Sequence, residues 1–291
     1  KFLFQTGIWH LLFKDIVLVL EMNPRILSNW FFLIVRNLFR KKTVLWGHAW
    51  PRSGALSKSD FVRGLMRKLA SKIIVYTKQQ QKELNKIMPN KQVLVAPNAV
   101  ISSSKMRTTI IGDFNNLIYV GRLTKLKKPF FLLKAFHKCL KKLPLEIKLV
   151  IVGEGEEKKG LEKYIKENNL EERVEMTGHL SDYHTLQELY LSSFFSVSPG
   201  YVGLSITQSF SFGVPMIVSK NENHSPEIEA VIENENAIFF NTDDIDDFNE
   251  VLLNLFKNKT KWINKKESII NFCKKEYSVE SMSKVFIDLC K

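Results

Sequence analysis

Short aliphatic and β-branched runs alternate with amphipathic stretches along most of this chain. That alternation restricts the fold more than any other feature. Residues 15–20, 43–45, 72–76 and 93–96 read as strands, with helices expected over 57–69 and 78–87. The rhythm then resumes with strands at 117–120, 146–152, 173–176, 195–197, 215–218 and 237–240. Helices at 129–142, 157–168, 183–192 and 203–212 separate them, and two more close the chain. Strands rich in Val, Ile, Leu and Phe, each followed by a helix, predict α/β architecture with parallel sheets covered on both faces. In such sheets ligands bind at the carboxyl ends of the strands.

At about 100–200 residues per domain, 291 residues suit two domains. Charge divides the chain the same way. Residues 1–110 hold 19 Lys/Arg and 4 Asp/Glu, whereas residues 111–291 hold 24 and 26. We therefore expect an N-terminal domain with its linker over 1–110, a second domain over 111–275, and a last helix over 276–291. The linker is placed at 100–116, where Ser102, Ser103 and Ser104 cluster. A field this positive attracts nucleic acid, anionic lipid or a phosphorylated substrate. No nucleic-acid-binding module is recognisable, so that partner is not expected. Residues 26–42, ILSNWFFLIVRNLFRKK, are compatible with a helix lying on an anionic membrane and equally with a core helix that has a solvated basic end. The apolar run 26–35 is too short to span a bilayer.

Three cysteines without short spacing (Cys139, Cys273 and Cys290) suit reduced thiols in a cytoplasmic protein, possession of a disulfide or a Cys-based metal site being unexpected. The chain opens on Lys1 without the pattern of a signal peptide, and an N-terminal piece is expected to precede it.

Glycine-rich turns after strands let backbone amides and helix N-termini approach phosphate. Three such turns occur. Gly121-Arg122-Leu123 is followed by Lys127, and two cations there could hold a diphosphate. Gly153-Glu154-Gly155 follows the next strand, with Lys158 where a dinucleotide fingerprint would place its third glycine. Ser198-Pro199-Gly200-Tyr201-Val202-Gly203-Leu204 opens the helix expected at 203–212, which Gly213 and Pro215 end. The amide of Gln208, one turn beyond Leu204, could reach a ribose. Asp243, Asp244, Asp246 and Asp247 read as acids at a helix start, where they favour the dipole, and no metal site is expected.

With these motifs on the page, the sequence resembles retaining glycosyltransferases of family 4, which have the GT-B fold. The matching segments are VGRLTKLKKPFFLLKAF (120–136), LVIVGEG (149–155), VEMTGHL (174–180), SPGYVGLSITQSFSFGVPMIVS (198–219) and SPEIEAV (225–231). LWGHAW (45–50) and VAPNAV (95–100) match in the first half. The resemblance implies two Rossmann-like domains, the N-terminal one apparently truncated, with acceptor bound by the first and nucleotide-sugar by the second. It gives Arg122 and Lys127 the donor diphosphate, with Gly121 and Gly153 in the flanking turns. It places Tyr201, Val202, Gly203 and Leu204 against the donor, His179 and Leu180 by the nucleobase, and Glu227 of the Pro-Glu pair near the donor. His48 corresponds to a histidine that contacts the donor sugar. The last helix is expected to pack back on the N-terminal domain. The family's glutamate pair falls on Gly200 and Gln208. Gln208 can still bond ribose hydroxyls, but Gly200 cannot contact the sugar by a side chain.

The activity expected from the resemblance is hexosyl transfer from a nucleotide-sugar to a hydroxyl of a glycan or lipid-linked acceptor, metal-independent and without cofactor, in surface polysaccharide synthesis. The protein would be cytoplasmic, with an anionic membrane surface as a further partner. A nucleotide-sugar epimerase on the same fold and a non-catalytic nucleotide-sugar-binding protein are the alternatives.

Overall fold

The computed structural model describes residues 1–51, 54, 57–107 and 115–291. The strands are β1 (Leu18–Glu21), β2 (Thr43–Trp46), β3 (Lys72–Val75), β4 (Gln92–Val95), β5 (Asn116–Val120), β6 (Lys148–Val152), β7 (Val174–Gly178), β8 (Ser193–Ser198), β9 (Met216–Ser219) and β10 (Ala237–Phe240). The helices are α1 (Leu27–Leu38), α2 (Lys58–Leu69), α3 (Lys78–Ile87), α4 (Pro129–Cys139), α5 (Lys158–Glu167), α6 (Tyr183–Leu191), α7 (Ser205–Ser211), α8 (Ile245–Lys257), α9 (Lys259–Ile263), α10 (Lys266–Tyr277) and α11 (Val279–Ile287). None is long and apolar enough to cross a membrane.

The chain forms two compact units, Lys1–Asn98 with Glu280–Lys291, and Ala99–Val279. The first division thus falls ahead of the boundary expected at residue 110, which itself lies outside the described residues. The cause is apolar: Ile101 and Met106 are buried in the core of the second unit. The chain re-enters the first unit at Glu280 rather than at residue 276, because Tyr277 remains in the second unit's core.

The first unit carries a parallel sheet in the order β1-β2-β3-β4. One face is packed by Phe32 and Leu33 of α1, Met66 of α2 and Leu84 of α3. On the other, Met282, Val285, Phe286 and Leu289 of the C-terminal segment pack with Val44, Trp46, Ile74, Leu94 and Ala96. The buried side of α1 also includes Arg36, which is fully enclosed. Its guanidinium donates to the carbonyls of Leu11, Leu12, Lys14, Ile16 and Lys42 and to Thr43 Oγ1, at 2.7–3.1 Å. One side chain thereby ties the segment before β1 to the start of β2.

The second unit carries a parallel sheet in the order β10-β9-β8-β5-β6-β7. Period-two alternation sends Leu117, Tyr119, Leu149 and Ile151 to one core, with Phe136 of α4 and Phe248 of α8. Ile118, Val150 and Val152 go to the other, with Tyr190 of α6, Phe210 of α7 and Ile270 of α10. Asp244 caps α8, its Oδ1 accepting from the amides of Asp246 and Asp247 at 3.0 Å. The acids at 243–247 therefore stand at a helix start.

Candidate functional site

The order of the second sheet reverses at β5, which has β6 on one side and β8 on the other. Diverging helices leave an opening at the carboxyl ends of such a strand pair, the usual ligand position in this architecture. The loops leaving β5 and β8 hold the Gly121–Lys127 and Gly200–Leu204 motifs. Distant pieces of sequence are thus joined by topology.

The loop after β5 is fixed by backbone and ring contacts. Tyr119 Oη donates to the Arg122 carbonyl at 2.9 Å. The β6 loop packs directly beneath: Leu123 N–H donates to the Glu154 carbonyl at 2.9 Å, and Gly121 N–H to that of Val152 at 3.0 Å. No side chain fits between them. A Cβ at Gly153 would stand 1.9 Å from the Gly121 carbonyl oxygen, and one at Gly155 2.3 Å from that of Leu123. The Gly153-Glu154-Gly155 turn therefore acts as a support for the first loop. Gly153 N–H in turn donates to the Gly178 carbonyl at 2.8 Å, which places His179 and Leu180 beside this turn. Leu180 packs on the core and His179 is exposed.

The β5 and β8 loops meet at Lys127 and Gly200. Tyr201 N–H donates to the Leu126 carbonyl at 3.0 Å. Lys127 Nζ donates to the Tyr201 carbonyl at 2.7 Å and lies 4.6 Å from the centre of the Tyr201 ring. A Cβ at Gly200 would come within 2.4 Å of the Leu126 carbonyl oxygen. The absence of a side chain at 200 is thus required by the crossing of the two loops. Burial, then the neighbouring Arg122 charge, lowers the Lys127 ammonium to about 8, against the opposing pull of Glu227. Arg122 itself is exposed.

Beyond the crossing, Val202 is buried while Gly203 and Leu204 precede α7, which starts at Ser205, two residues later than the sequence pattern predicts. No side chain caps α7. Gln208 lies half-buried one turn into the helix. Gly213, at φ 67°, ends it in the left-handed conformation.

The β9 loop supplies residues that sequence reading did not single out. Val202 N–H donates to His224 Nδ1 at 3.1 Å, and the Ser219 carbonyl lies 2.8 Å from Nε2. An amide can only donate and a carbonyl only accept, so the imidazole is neutral with its proton on Nε2. Burial, the largest influence, lowers its pKa. Ser225 N–H donates to the Val202 carbonyl at 3.1 Å, and its hydroxyl donates to the Glu227 carboxylate. Glu227 is buried in the turn Pro226–Ala230. The only sequence signal for His224 is its place just ahead of the Pro-Glu pair.

His48 belongs to the first unit, at the carboxyl end of β2. Its exposed ring lies 4.7 Å from that of Tyr76, and its carbonyl accepts from Arg63 at 2.7 Å. Gly47 N–H, bonded to the Ile74 carbonyl at 3.1 Å, fixes the turn.

The family model for glycosyl transferases group 1 matches residues 102–276. An uncharacterized glycosyltransferase of Methanocaldococcus jannaschii is 30% identical over 214 residues, which are 67% of this chain and 51% of that protein. The chain thus spans about half the length of this curated relative. Among solved structures, Anabaena HepE in complex with UDP superposes with a TM-score of 0.73 at 15% identity, over 97% of this chain and 80% of that one. A Rickettsia africae glycosyltransferase gives 0.72 at 13%, over 95% and 76%. S. aureus TarM, bound to fondaparinux, alpha-GlcNAc-glycerol and UDP, gives 0.69 at 19%, over 98% and 58%. At such identities these likenesses establish the fold, a GT-B pair of α/β sheets.

Proposed function

The chain belongs to the glycosyl transferases group 1 family, and on that premise we propose that it transfers a sugar from a nucleotide-sugar to a hydroxyl acceptor with retention of anomeric configuration. The observation that carries this reading is the meeting of Lys127 with the Tyr201 loop where the sheet order reverses. An ammonium drawn in from water, bonded to a carbonyl and next to Arg122, gains from an incoming anion. The diphosphate of the donor is such an anion.

In the step itself, the bond between the anomeric carbon and the β-phosphate oxygen breaks. The acceptor oxygen bonds to that carbon on the same face, and its proton passes to the departing phosphate. Negative charge on the leaving group grows in the transition state, where preorganised cations stabilise it most. Arg122 and Lys127 supply that charge, so the reaction is written without a metal ion. Val202–Leu204 line the donor, Gln208 bonds its ribose, His179 and Leu180 lie by the base, and His48 approaches the sugar. Gly200 brings no carboxylate to the sugar hydroxyls, so hexose recognition falls to other groups. The acceptor is a glycan or a lipid-linked glycan of a surface polysaccharide, met at the cytoplasmic side of a membrane. The UDP complexes of HepE and TarM support a uridine nucleotide as the first donor carrier to try.

A thermal-shift screen of nucleotide-sugars, followed by transfer assays of Arg122→Ala and Lys127→Ala, tests the reading. A rise in melting temperature with one donor, and transfer reduced about a hundredfold in each variant, is expected. Normal turnover by both variants would remove these cations from the reaction.

A further inference from the structure

Helix α1 is apolar on the side turned away from its own unit. Ser28, Asn29, Phe32, Leu33 and Arg36 form its buried side, whereas Leu27, Phe31, Ile34 and Leu38 are 45–74% exposed. At 100° per residue the two sets point in nearly opposite directions. A soluble surface helix normally has the reverse arrangement. A strand added to the sheet edge, or a helix laid beside α1, would cover a flank and leave this outer side open.

The apolar surface continues beyond the helix. Leu3 N–H donates to the Arg25 carbonyl and Leu27 N–H to that of Leu3, which lays the first residues along the start of α1. Phe2 and Phe4 are exposed there, and Phe4 meets Trp9, which meets Phe31 edge-on at 5.2 Å. At the other end Phe39 and Phe13 are both exposed and in edge contact at 5.3 Å. Cations frame the surface: Lys1 and Arg25 at one end, Lys14, Arg40, Lys41 and Lys42 at the other. Asp15 and Glu21 are the acids among the first fifty residues, and Asp15 pairs with Lys41 at 3.3 Å.

We propose that this side of α1, with Phe2, Phe4, Phe13 and Phe39, docks on an anionic lipid surface. Aromatic and aliphatic side chains enter the boundary between headgroups and acyl chains while the surrounding Lys and Arg bind lipid phosphates. Charge favours this occupant over a second copy of the chain, because two such surfaces facing each other would bring like-charged borders together. The proposal names the surface for the membrane-side acceptor reading above but does not depend on the donor site.

The test is flotation of the protein with phosphatidylglycerol vesicles and with phosphatidylcholine vesicles, at low and raised salt. Binding to the anionic vesicles, weakened by salt, is expected. Phe31→Glu with Ile34→Glu should lower the bound fraction more than about tenfold, and Arg40→Asn with Lys42→Gln about tenfold. These side chains are exposed, so circular dichroism and stabilisation by UDP should match those of the parent chain. Loss of UDP stabilisation alone would count against the donor reading and leave the docking surface standing. Equal binding to both lipids, no binding to either, or unchanged binding by the Phe31/Ile34 variant overturns the proposal. Light scattering that shows a dimer dissolved by the same pair of substitutions would assign the surface to a second copy instead.

Discussion

Arg36 and Lys127 are both cations withdrawn from solvent, one in each unit, with very different surroundings. Arg36 has spent its donors on five carbonyls and a hydroxyl, and nothing remains for a ligand. Lys127 bonds one carbonyl and rests against a ring at the crossing of two loops. Burial lowers the pKa of both. A saturated cation holds a fold together, whereas a cation with unused bonding capacity at a strand-order reversal can bind an anion. Enclosure alone does not distinguish the two; the count of acceptors already satisfied does.

The sharpest way to break this contrast is Arg36→Met. It leaves six oxygens without their donor, and we expect a loss of about 3 kcal/mol or more in urea unfolding. A loss under about 1 kcal/mol would show that Arg36 does not hold the first unit together. Lys127→Ala should do the opposite, with stability within about 1 kcal/mol of the parent but transfer reduced about a hundredfold. Gly200→Ala comes next. Its methyl meets the Leu126 carbonyl, so the loops must separate, costing on the order of 2 kcal/mol in stability and weakening nucleotide binding. An unchanged melting temperature would show that the loops do not need to cross so closely.

The pH dependence follows from Lys127. Its ammonium titrates at about 8, and the bound diphosphate favours the charged form. Affinity is therefore highest below that value and falls as pH rises through it, because binding must then recruit a proton. Between about pH 7 and about pH 9 the calorimetric dissociation constant for UDP should rise about tenfold. Lys127→Arg, charged throughout, should flatten the curve; an equally steep curve in that variant would place the titrating group elsewhere. The smallest expected effect is Asp244→Ala, which removes the α8 cap and costs about 1 kcal/mol in thermal unfolding with UDP affinity unchanged. A change in UDP affinity would mean that these acids do more than cap a helix.

The alternation of strands and helices was legible in the sequence because buried parallel strands need continuous apolar runs, and the ten strand positions follow from it. The adjacency of β5 and β8 was not, since no local pattern specifies which strands pair across the sheet. Gly200 illustrates the consequence. In the sequence it is a missing carboxylate; in the fold it is the point where a carbonyl leaves no room for a side chain. His224 gave no signal because its role depends on two backbone groups from other segments, Val202 N–H and the Ser219 carbonyl. Arg36 ends an apolar helical run and reads as a solvated cation until the carbonyls around it are seen. The start of α7 was placed at Gly203 because glycine and leucine fit a helical entry, but the chain turns helical at Ser205.

The last twelve residues complete the layer on one side of the first sheet, so the polypeptide passes between its units twice. A split-protein pair divided at Asn98 would leave β1–β4 on one fragment and α11 on the other. Complementation would then depend on Phe286 and Leu289 finding Trp46 and Ala96 again. A reporter fused after Lys291 would sit on the unit that holds the amino terminus, not on the one that precedes it in the chain.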